Sequence, residues 1–194
     1  MKIFLVCFTV FMAVLEIYWI VRCMEYARCA YQKKQVPFVA SDRTLRRAVV
    51  REIASRYPNA KNICEIGSGY GGMARAIARR TGANVVALEN MPFTYFVARV
   101  ADFFTFARRV KTIKCDAFEF LGEYDGVFDV AVAYMGPGIN DKLKPYMDKF
   151  RVLILLDVSL TDGGADYVVD LKHGFTRYGP LKYPHKLFIY ENKK

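Results

Sequence analysis

The sequence is poor in the residues that bind metal ions or cross-link small domains. It has only two histidines, His173 and His185, and its five cysteines show no C-x-x-C spacing. A multi-histidine metal centre, a zinc site and a disulfide framework are therefore disfavoured, and we expect no bound metal. Glycine and proline, with 13 and 7 residues, are too sparse for a collagen-like or linker-like chain.

The abundant residues describe a folded and basic protein. Hydrophobic side chains make up 54% of the 194 residues, which is enough to bury a core and excludes a wholly disordered chain. The length allows one domain with a short appendage. The formal net charge of +10 favours anionic partners such as nucleic acid, acidic lipid head groups or acidic protein surfaces, without choosing among them.

Residues 3–21 form a long apolar run that contains one charged residue, Glu16. A membrane-spanning helix needs about 20 mostly apolar residues, so we expect this segment to anchor the chain in a membrane. A cleaved signal peptide is the alternative, although the run is long for one and no small-residue cleavage site clearly follows it. The chain is thus expected to divide into an anchor with a basic stem, residues 1–35, and a domain formed by residues 36–194.

Basic residues are distributed unequally around this segment. Lys2 precedes it, whereas four basic residues follow it: Arg22, Arg28, Lys33 and Lys34. The positive-inside rule then predicts a single-pass membrane protein whose domain lies on the cytoplasmic side, or on the equivalent side of an organelle membrane.

Beyond residue 36, apolar runs typical of buried strands alternate with segments of helical spacing. Ser41 or Asp42 can cap a first helix that begins near Arg43. Strands are expected within residues 62–67, 84–89, 111–118, 128–135 and 151–159, and helices at 73–80, 92–109 and 139–150. Two further strands, 167–171 and 186–192, can form a hairpin. The pattern predicts an α/β fold, namely a Rossmann-like, doubly wound, mostly parallel sheet with an antiparallel edge strand, plus one N-terminal transmembrane helix.

A glycine-rich turn follows the first expected strand. Gly67, Gly69 and Gly71 allow a tight backbone turn and close approach of a ligand, and Glu89 ends the next strand, where a carboxylate can accept two ribose hydroxyls. Both a dinucleotide and S-adenosylmethionine fit such a turn. Glu65 precedes it, however, and a carboxylate there repels a pyrophosphate but suits a ligand with an ammonium group.

A third acidic residue supports the second ligand. Asp116 and Ala117 follow the third strand and can cover and hydrogen-bond an adenine ring. Three acids at three strand ends, without a phosphate-binding residue, favour S-adenosylmethionine over NAD. The alternative for Asp116 is that it only caps the following helix.

These residues carry a resemblance to a known family. Residues 63–135 resemble the class I (Rossmann-like) S-adenosylmethionine-dependent methyltransferases: ICEIGSGYGG matches their first motif, ALEN their acidic second motif and CDAF their third. The apolar segment, the sequence VPFVAS and the ENMP that follows the second strand are similar to the membrane-anchored protein-lysine methyltransferases of the adenine nucleotide translocase and the ATP synthase c subunit. Ala40 replaces the second proline of their first motif, and Glu89-Asn90-Met91-Pro92 lacks the residue that they have before Asn.

The resemblance implies an enzyme that binds S-adenosylmethionine and methylates a lysine of a membrane protein. It adds Asn90 to the cofactor site and implies that Phe38, Ser41 and Asp42 cover the cofactor, whereas from the residues alone Ser41 and Asp42 are better read as a helix cap. Tyr134, at the end of the fourth strand, is our candidate for the acceptor channel; core packing is its alternative role.

Three other functions stay open at this point. A phospholipid or small-molecule methyltransferase fits the basic stem equally well, and a non-catalytic S-adenosylmethionine-binding module fits the anchor. RNA methylation is disfavoured, because an anchor keeps the enzyme away from most RNA. We expect the arginines at 75, 79, 80, 108 and 109 to form solvated helix faces, and His173 and His185 to be surface residues without partners.

Overall fold

The structure is a computed structural model. It describes residues 2–32, 41–136, 138–161, 163–171, 175–176, 179–180 and 185–192. Phe38, Ala40 and His173, which the sequence interpretation singled out, lie outside these ranges. The contacts between residues divide the chain into two compact units, Met1–Phe38 and Val39–Lys194.

The first unit contains one long helix, α1, which spans Lys2–Gln32. Its segment Phe4–Met24 is 21 residues long, and its large apolar side chains are mostly exposed. By length and composition this segment could cross a membrane, which agrees with the apolar run expected at residues 3–21. Secretory signal sequences near an N-terminus share these two properties.

The second unit is built on a seven-stranded sheet with the order β3-β2-β1-β4-β5-β9-β6. Strands β1 to β5 are parallel, whereas β9 runs antiparallel between β5 and β6. These strands are β1 (Asn62–Ile66), β2 (Asn84–Glu89), β3 (Val110–Lys114), β4 (Phe128–Ala133), β5 (Phe150–Leu156), β6 (Tyr167–Leu171) and β9 (His185–Glu191). A two-stranded sheet pairs β7 (Phe175–Thr176) with β8 (Gly179–Pro180). The α/β fold predicted from the sequence is confirmed, including the antiparallel pairing at one edge.

Helices cover both faces of the sheet, since two separate hydrophobic clusters pack against its strands. One cluster joins α2 (Arg43–Arg56) and α3 (Gly72–Thr81) to the sheet through residues such as Val49 and Ile77. The other includes Leu121 from α5 (Ala117–Glu123) and Leu143 from the 3₁₀ helix Asn140–Lys149. Burial on both faces explains why the strands read as continuous apolar runs.

Helix α4 spans Pro92–Phe104 and ends five residues before the expected end at residue 109. Pro92 stands at its first turn, where a missing N–H costs little. Past Phe104, Phe106 has a φ of 50°, a left-handed backbone that a helix cannot contain. The apolar spacing continues to Ala107 because residues beyond the helix still pack near the core, and this spacing made the helix look longer.

Residues 139–150 do not form the regular helix that their spacing suggests. They form a 3₁₀ helix, Asn140–Lys149, with Pro145 inside it. Proline lacks the N–H that an α-helix needs at that position, and its ring clashes with the preceding turn.

Candidate functional site

The glycine-rich turn lies between β1 and α3, at the carboxyl ends of the parallel strands. Gly67, Gly69 and Gly71 have φ values of 70°, 57° and 69°. This left-handed backbone costs a residue with a side chain about 1 kcal/mol or more, so glycine is required for the shape of the turn. A Cβ atom on Gly71 would in addition lie 2.8 Å from the guanidinium of Arg75.

Glu89 holds this turn against the end of β2. One carboxylate oxygen accepts a hydrogen bond from the Gly69 N–H at 2.7 Å, and the other accepts one from the Met91 N–H at 2.8 Å. The side chain is buried. The residue expected to bind ribose therefore also fixes the relative position of the first two strand ends.

Glu65 occupies the interior behind the turn. Its carboxylate accepts a hydrogen bond at 2.8 Å from the N–H of Ala74, in the first turn of α3. Burial raises the pKa of this carboxyl to about 8, against the opposing effects of the Ala74 hydrogen bond and the Arg75 charge. The helix N-terminus is thus a partner of Glu65 that the sequence interpretation, which assigned the residue to a ligand's ammonium group, did not include.

Asp116 is the N-cap of α5. Its Oδ1 atom accepts hydrogen bonds from the N–H groups of Phe118 at 2.8 Å and of Glu119 at 3.4 Å. This is the capping role given above as the alternative for this residue. Ala117 is the first residue of α5, and Asn90 is half-buried directly after β2. The structure places all three at the carboxyl edge, and their contact with an adenosine stays a prediction.

The turn also contains a buried polar atom without a partner. Ser68 is buried, and its hydroxyl oxygen forms no hydrogen bond with any residue that the structure describes. A buried hydroxyl of this kind costs free energy unless a ligand or a water satisfies it. The polar groups of the turn are backbone N–H groups, one hydroxyl and the carboxyl groups of two acids. Together they fit a cofactor with hydroxyl and ammonium groups.

A second polar cluster lies at the same edge of the sheet, and sequence reasoning missed it. His185, at the start of β9, has Nδ1 at 2.8 Å from Oδ2 of Asp157 and Nε2 at 2.9 Å from Oδ2 of Asp42. Both contacts are hydrogen bonds only when both ring nitrogens carry protons. His185 is therefore a mostly buried residue with two acidic partners, and the expectation of an unpartnered surface histidine was wrong.

Tyr134 belongs to this cluster. It follows β4, and its side chain lies near the carboxylate of Asp157, which follows β5. Burial in the first place, and then the negative charge of Asp157, raise the pKa of Tyr134 well above its usual value of 10, so the phenol stays protonated at physiological pH. Asp157 has a φ of 63°, an unfavourable conformation for a residue with a side chain.

Asp42 connects the cluster to α2. Its Oδ1 atom accepts a hydrogen bond from the Leu45 N–H at 2.8 Å, so Asp42 is the N-cap of α2. The sequence had indicated either Ser41 or Asp42 for this cap. The only signals that could have indicated the cluster are the acid directly after β5 and the histidine opening the last strand. Neither signal indicates which residue the side chain contacts in the folded protein.

Comparison with known proteins gives similarity of structure only. No protein-family model and no curated protein sequence matches the chain. An RNA methyltransferase from Salinibacter ruber, solved in complex with S-adenosyl-L-homocysteine, has a TM-score of 0.61 and 22% identity, over 79% of this chain and 93% of that one. A precorrin 8W decarboxylase from Methanobacterium thermoautotrophicum has a TM-score of 0.60 and 17% identity, over 80% and 93%.

A third similar structure is a precorrin-6y C5,15-methyltransferase from Geobacter metallireducens, with a TM-score of 0.61 and 14% identity, over 81% of this chain and 93% of that one. By their names, the three proteins act on RNA and on precorrins, so the shared architecture serves different substrates. At these identities the likeness establishes the fold, and residues 39–194 of this chain have the fold of the class I S-adenosylmethionine-dependent methyltransferases.

Proposed function

We propose that this protein is an S-adenosylmethionine-dependent methyltransferase, anchored in a membrane by α1, that methylates a lysine of a membrane protein. The observation that carries the proposal is the glycine turn that Glu89 pins to the end of β2, next to the unpartnered Ser68 hydroxyl. When bound, S-adenosylmethionine supplies a methyl group on a cationic sulfur, which a nucleophile can attack directly.

Five features of the site would hold this cofactor. The turn at Gly67 and Gly69 allows the backbone to approach it, and Glu89 would accept hydrogen bonds from the ribose hydroxyls. Glu65 is protonated in the free protein near neutral pH, and the positive charge of a bound ammonium group would favour its ionised form. We expect Asn90 and the Asp116-Ala117 pair, at the same carboxyl edge of the sheet, to contact the adenine. The three acids match the positive charges and hydroxyls of this ligand and would repel a pyrophosphate.

The acceptor side is formed by Tyr134 and Asp157 at the ends of β4 and β5. A lysine attacks only as a neutral amine, and a half-buried aromatic environment lowers the pKa of an amine by desolvation. The Tyr134 phenol stays protonated, so it orients an acceptor as a hydrogen-bonding group rather than as a base. We infer that the nearby Asp157 carboxylate orients the phenol. We assign Tyr134 a positioning role.

The membrane protein substrate follows from α1 and the resemblance to anchored lysine methyltransferases. An anchor confines the enzyme close to substrates in the same membrane and raises their effective concentration. A lipid acceptor is compatible with the same arrangement. RNA was disfavoured from the sequence, but one of the similar structures is an RNA methyltransferase, so RNA belongs among the acceptors to be tested.

Cofactor binding is tested with two substitutions of Glu89. Calorimetry with S-adenosylmethionine should show that Glu89→Ala lowers the affinity at least about 100-fold, because an unpaired buried hydrogen-bonding group costs several kcal/mol. Glu89→Gln keeps one acceptor for the Gly69 N–H and should lose less. Circular dichroism and urea unfolding serve as the control for folding. Unchanged affinity in a folded Glu89→Ala variant would refute the ribose assignment.

The acceptor is tested by following the label. The protein is incubated with methyl-labelled S-adenosylmethionine and host membranes, and protein, lipid and RNA are separated before counting. We expect label in a protein band, on a lysine that mass spectrometry identifies, and a kcat about 10- to 100-fold lower for Tyr134→Phe with unchanged cofactor affinity. Label in lipid or RNA would replace the lysine proposal, whereas cofactor binding without any transfer would favour a binding module.

A further inference from the structure

Helix α4 carries several apolar side chains on its outer face, away from the residues that it buries. Thr94 and Ala98 are buried, whereas Phe96, Val100 and Phe103 follow one another at helical spacing on the exposed side. An apolar stripe on a helix normally packs against another surface. With 13 residues, α4 is also too short to cross a bilayer.

The apolar surface is largest at the C-terminal end of α4. Phe103, Phe104 and Phe106 are 76%, 72% and 79% exposed. Phe103 and Phe104 contact each other edge to face, with ring centroids 5.5 Å apart. Several exposed phenylalanines in one place are unusual on a protein surface in water and mark a site of interaction.

Arginines lie beside Phe106, the last of these phenylalanines, and the nearby acidic side chains of the chain are buried. Phe106 shares a groove between α3 and α4 with Arg79, Arg108 and Arg109. The two carboxylates between Gly72 and Arg109 are both buried: Glu89 holds the glycine turn, and Asp102 pairs with Arg75 at 2.9 Å. The exposed surface here is therefore cationic and apolar at once.

A second basic groove adjoins the first across α3. It lies between α2 and α3, and five arginines line it: Arg43, Arg46, Arg47, Arg51 and Arg80. Among the residues that the structure describes, no carboxylate lines this groove. The two grooves thus give α2, α3 and the segment after α4 an excess of positive charge.

We propose that this surface docks on an anionic phospholipid bilayer. The basic–aromatic face is defined as Phe96, Val100, Phe103, Phe104 and Phe106 together with Arg79, Arg108 and Arg109. Arginines attract anionic head groups, and apolar side chains beside them enter the boundary with the acyl chains, which is the composition of interfacial membrane-binding surfaces.

The composition of the face favours a lipid surface over RNA. Phosphates of either partner would attract the arginines, and phenylalanine rings can stack on bases. Val100, in the middle of the stripe, offers no stacking surface and is stabilised only by an apolar phase. The same chain also carries an apolar helix long enough to cross a membrane, so a bilayer is the anionic surface that it would meet most often.

The proposal does not depend on methyl transfer, because none of these residues belongs to the proposed cofactor or acceptor site. It adds a second attachment to the one expected from α1. Two weak attachments together hold a protein on a membrane more firmly than either alone. The second would also set which side of the domain faces the bilayer.

The test uses the full chain with one tryptophan reporter at a time. Trp19→Phe removes the natural tryptophan, and Phe104→Trp introduces a reporter on the basic–aromatic face. Tyr167→Trp is the matched control, because Tyr167 is an exposed aromatic residue on β6, at the other end of the sheet from β3. Both variants are reconstituted in vesicles of phosphatidylcholine, alone or with phosphatidylglycerol, whose acyl chains are brominated close to the glycerol.

We expect the F104W fluorescence to be quenched and blue-shifted in the anionic vesicles only, and the Y167W fluorescence to be unaffected. R108E/R109E should lower the ratio of docked to undocked domain by about five-fold for each arginine, and high salt should act in the same direction. Equal quenching of the two reporters would overturn the proposal. So would an F104W response that requires added RNA, or one that rises with the protein-to-lipid ratio, because these indicate an RNA partner or a second copy of the chain.

Discussion

At the residue scale, Glu65 is the side chain whose environment most changes its chemistry. It is buried behind the glycine turn and bound to the Ala74 N–H at the start of α3. Removal from water disfavours the charged form and raises the pKa to about 8, although a helix N-terminus favours an anion. Desolvation is the larger of the two effects here, so Glu65 carries a proton over much of the neutral range.

This leads to a prediction about stability and pH. The pKa of Glu65 is about 8 in the folded protein and about 4.5 in an unfolded chain, so its favourable contribution is complete below pH 4.5 and is lost as pH rises through 8. Glu65→Gln removes this titration. The free energy of unfolding of the wild type, relative to the variant, should fall by up to about 1.4 kcal/mol per pH unit within that window.

Urea unfolding of both proteins in detergent solution between pH 5 and 8 measures the difference. The conservative amide keeps an oxygen for the Ala74 N–H, so the helix start should be preserved in the variant. Two curves that stay parallel over this range would show that Glu65 is ionised in the folded protein.

Single residues differ in how far they can be predicted from sequence. The glycines at 67, 69 and 71 could be predicted as turn residues, because a left-handed turn between a strand and a helix needs several glycines within a few residues. The partners of His185 could not be predicted, because Asp157 is 28 residues away in the sequence and Asp42 is 143 residues away. Only the order of the strands brings these three together.

At the scale of the elements, His185 connects three of them. It opens β9, Asp157 closes β5 and Asp42 caps α2, and the three side chains are mostly buried. Removing the imidazole from such a cluster leaves two mostly buried carboxylates without the ring nitrogens that they contact, which is more costly than removing a surface pair.

We therefore predict that His185→Ala destabilises the domain by about 2 kcal/mol, less than a fully buried pair because the groups keep some exposure. Hydrogen exchange of the Leu45 amide, which Asp42 caps, should become faster, whereas exchange in β2 should follow only the global change. Lys186→Ala is the control on the same strand, since its pair with Asp170 is exposed and worth little. Equal losses of stability in the two variants would mean that the histidine cluster does not stabilise the contact between α2, β5 and β9.

The elements themselves follow from local pattern, but their ends do not. The five parallel strands were located from apolar runs because both sides of the sheet are covered. The end of α4 was placed too late, and the helix predicted around Pro145 was found but its 3₁₀ geometry was not predicted. In both places, apolar residues beyond or within an irregular backbone keep a helical spacing because they still pack on the core.

At the scale of the whole molecule, the chain consists of two compact units, and the methyltransferase fold lies in the second. The sequence indicated this division by its change from an apolar run to alternating strands and helices. It did not indicate the basic–aromatic face, because a phenylalanine in a helix reads as core until the structure shows which side it is on.

Helix α1 should bring the enzyme to its substrate and should not be needed for the folding of the domain. Residues 39–194 contain the whole sheet, both hydrophobic clusters and the proposed cofactor site, so without α1 they should fold and bind S-adenosylmethionine with an affinity within about two-fold of the full chain. Loss of the anchor removes a local concentration in the millimolar range. Methylation of an acceptor embedded in neutral phosphatidylcholine vesicles should then be at least about ten-fold slower, whereas a soluble peptide acceptor should be methylated at an unchanged rate.

Neutral vesicles are essential to this comparison, because on anionic ones the basic–aromatic face would partly replace the missing anchor. Restoring phosphatidylglycerol should therefore recover part of the lost rate at low salt, and R108E/R109E should abolish that recovery. Loss of cofactor binding in the shortened chain would show that α1 supports the fold of the domain. Equal rates on the embedded acceptor would show that the helix contributes nothing to finding the substrate.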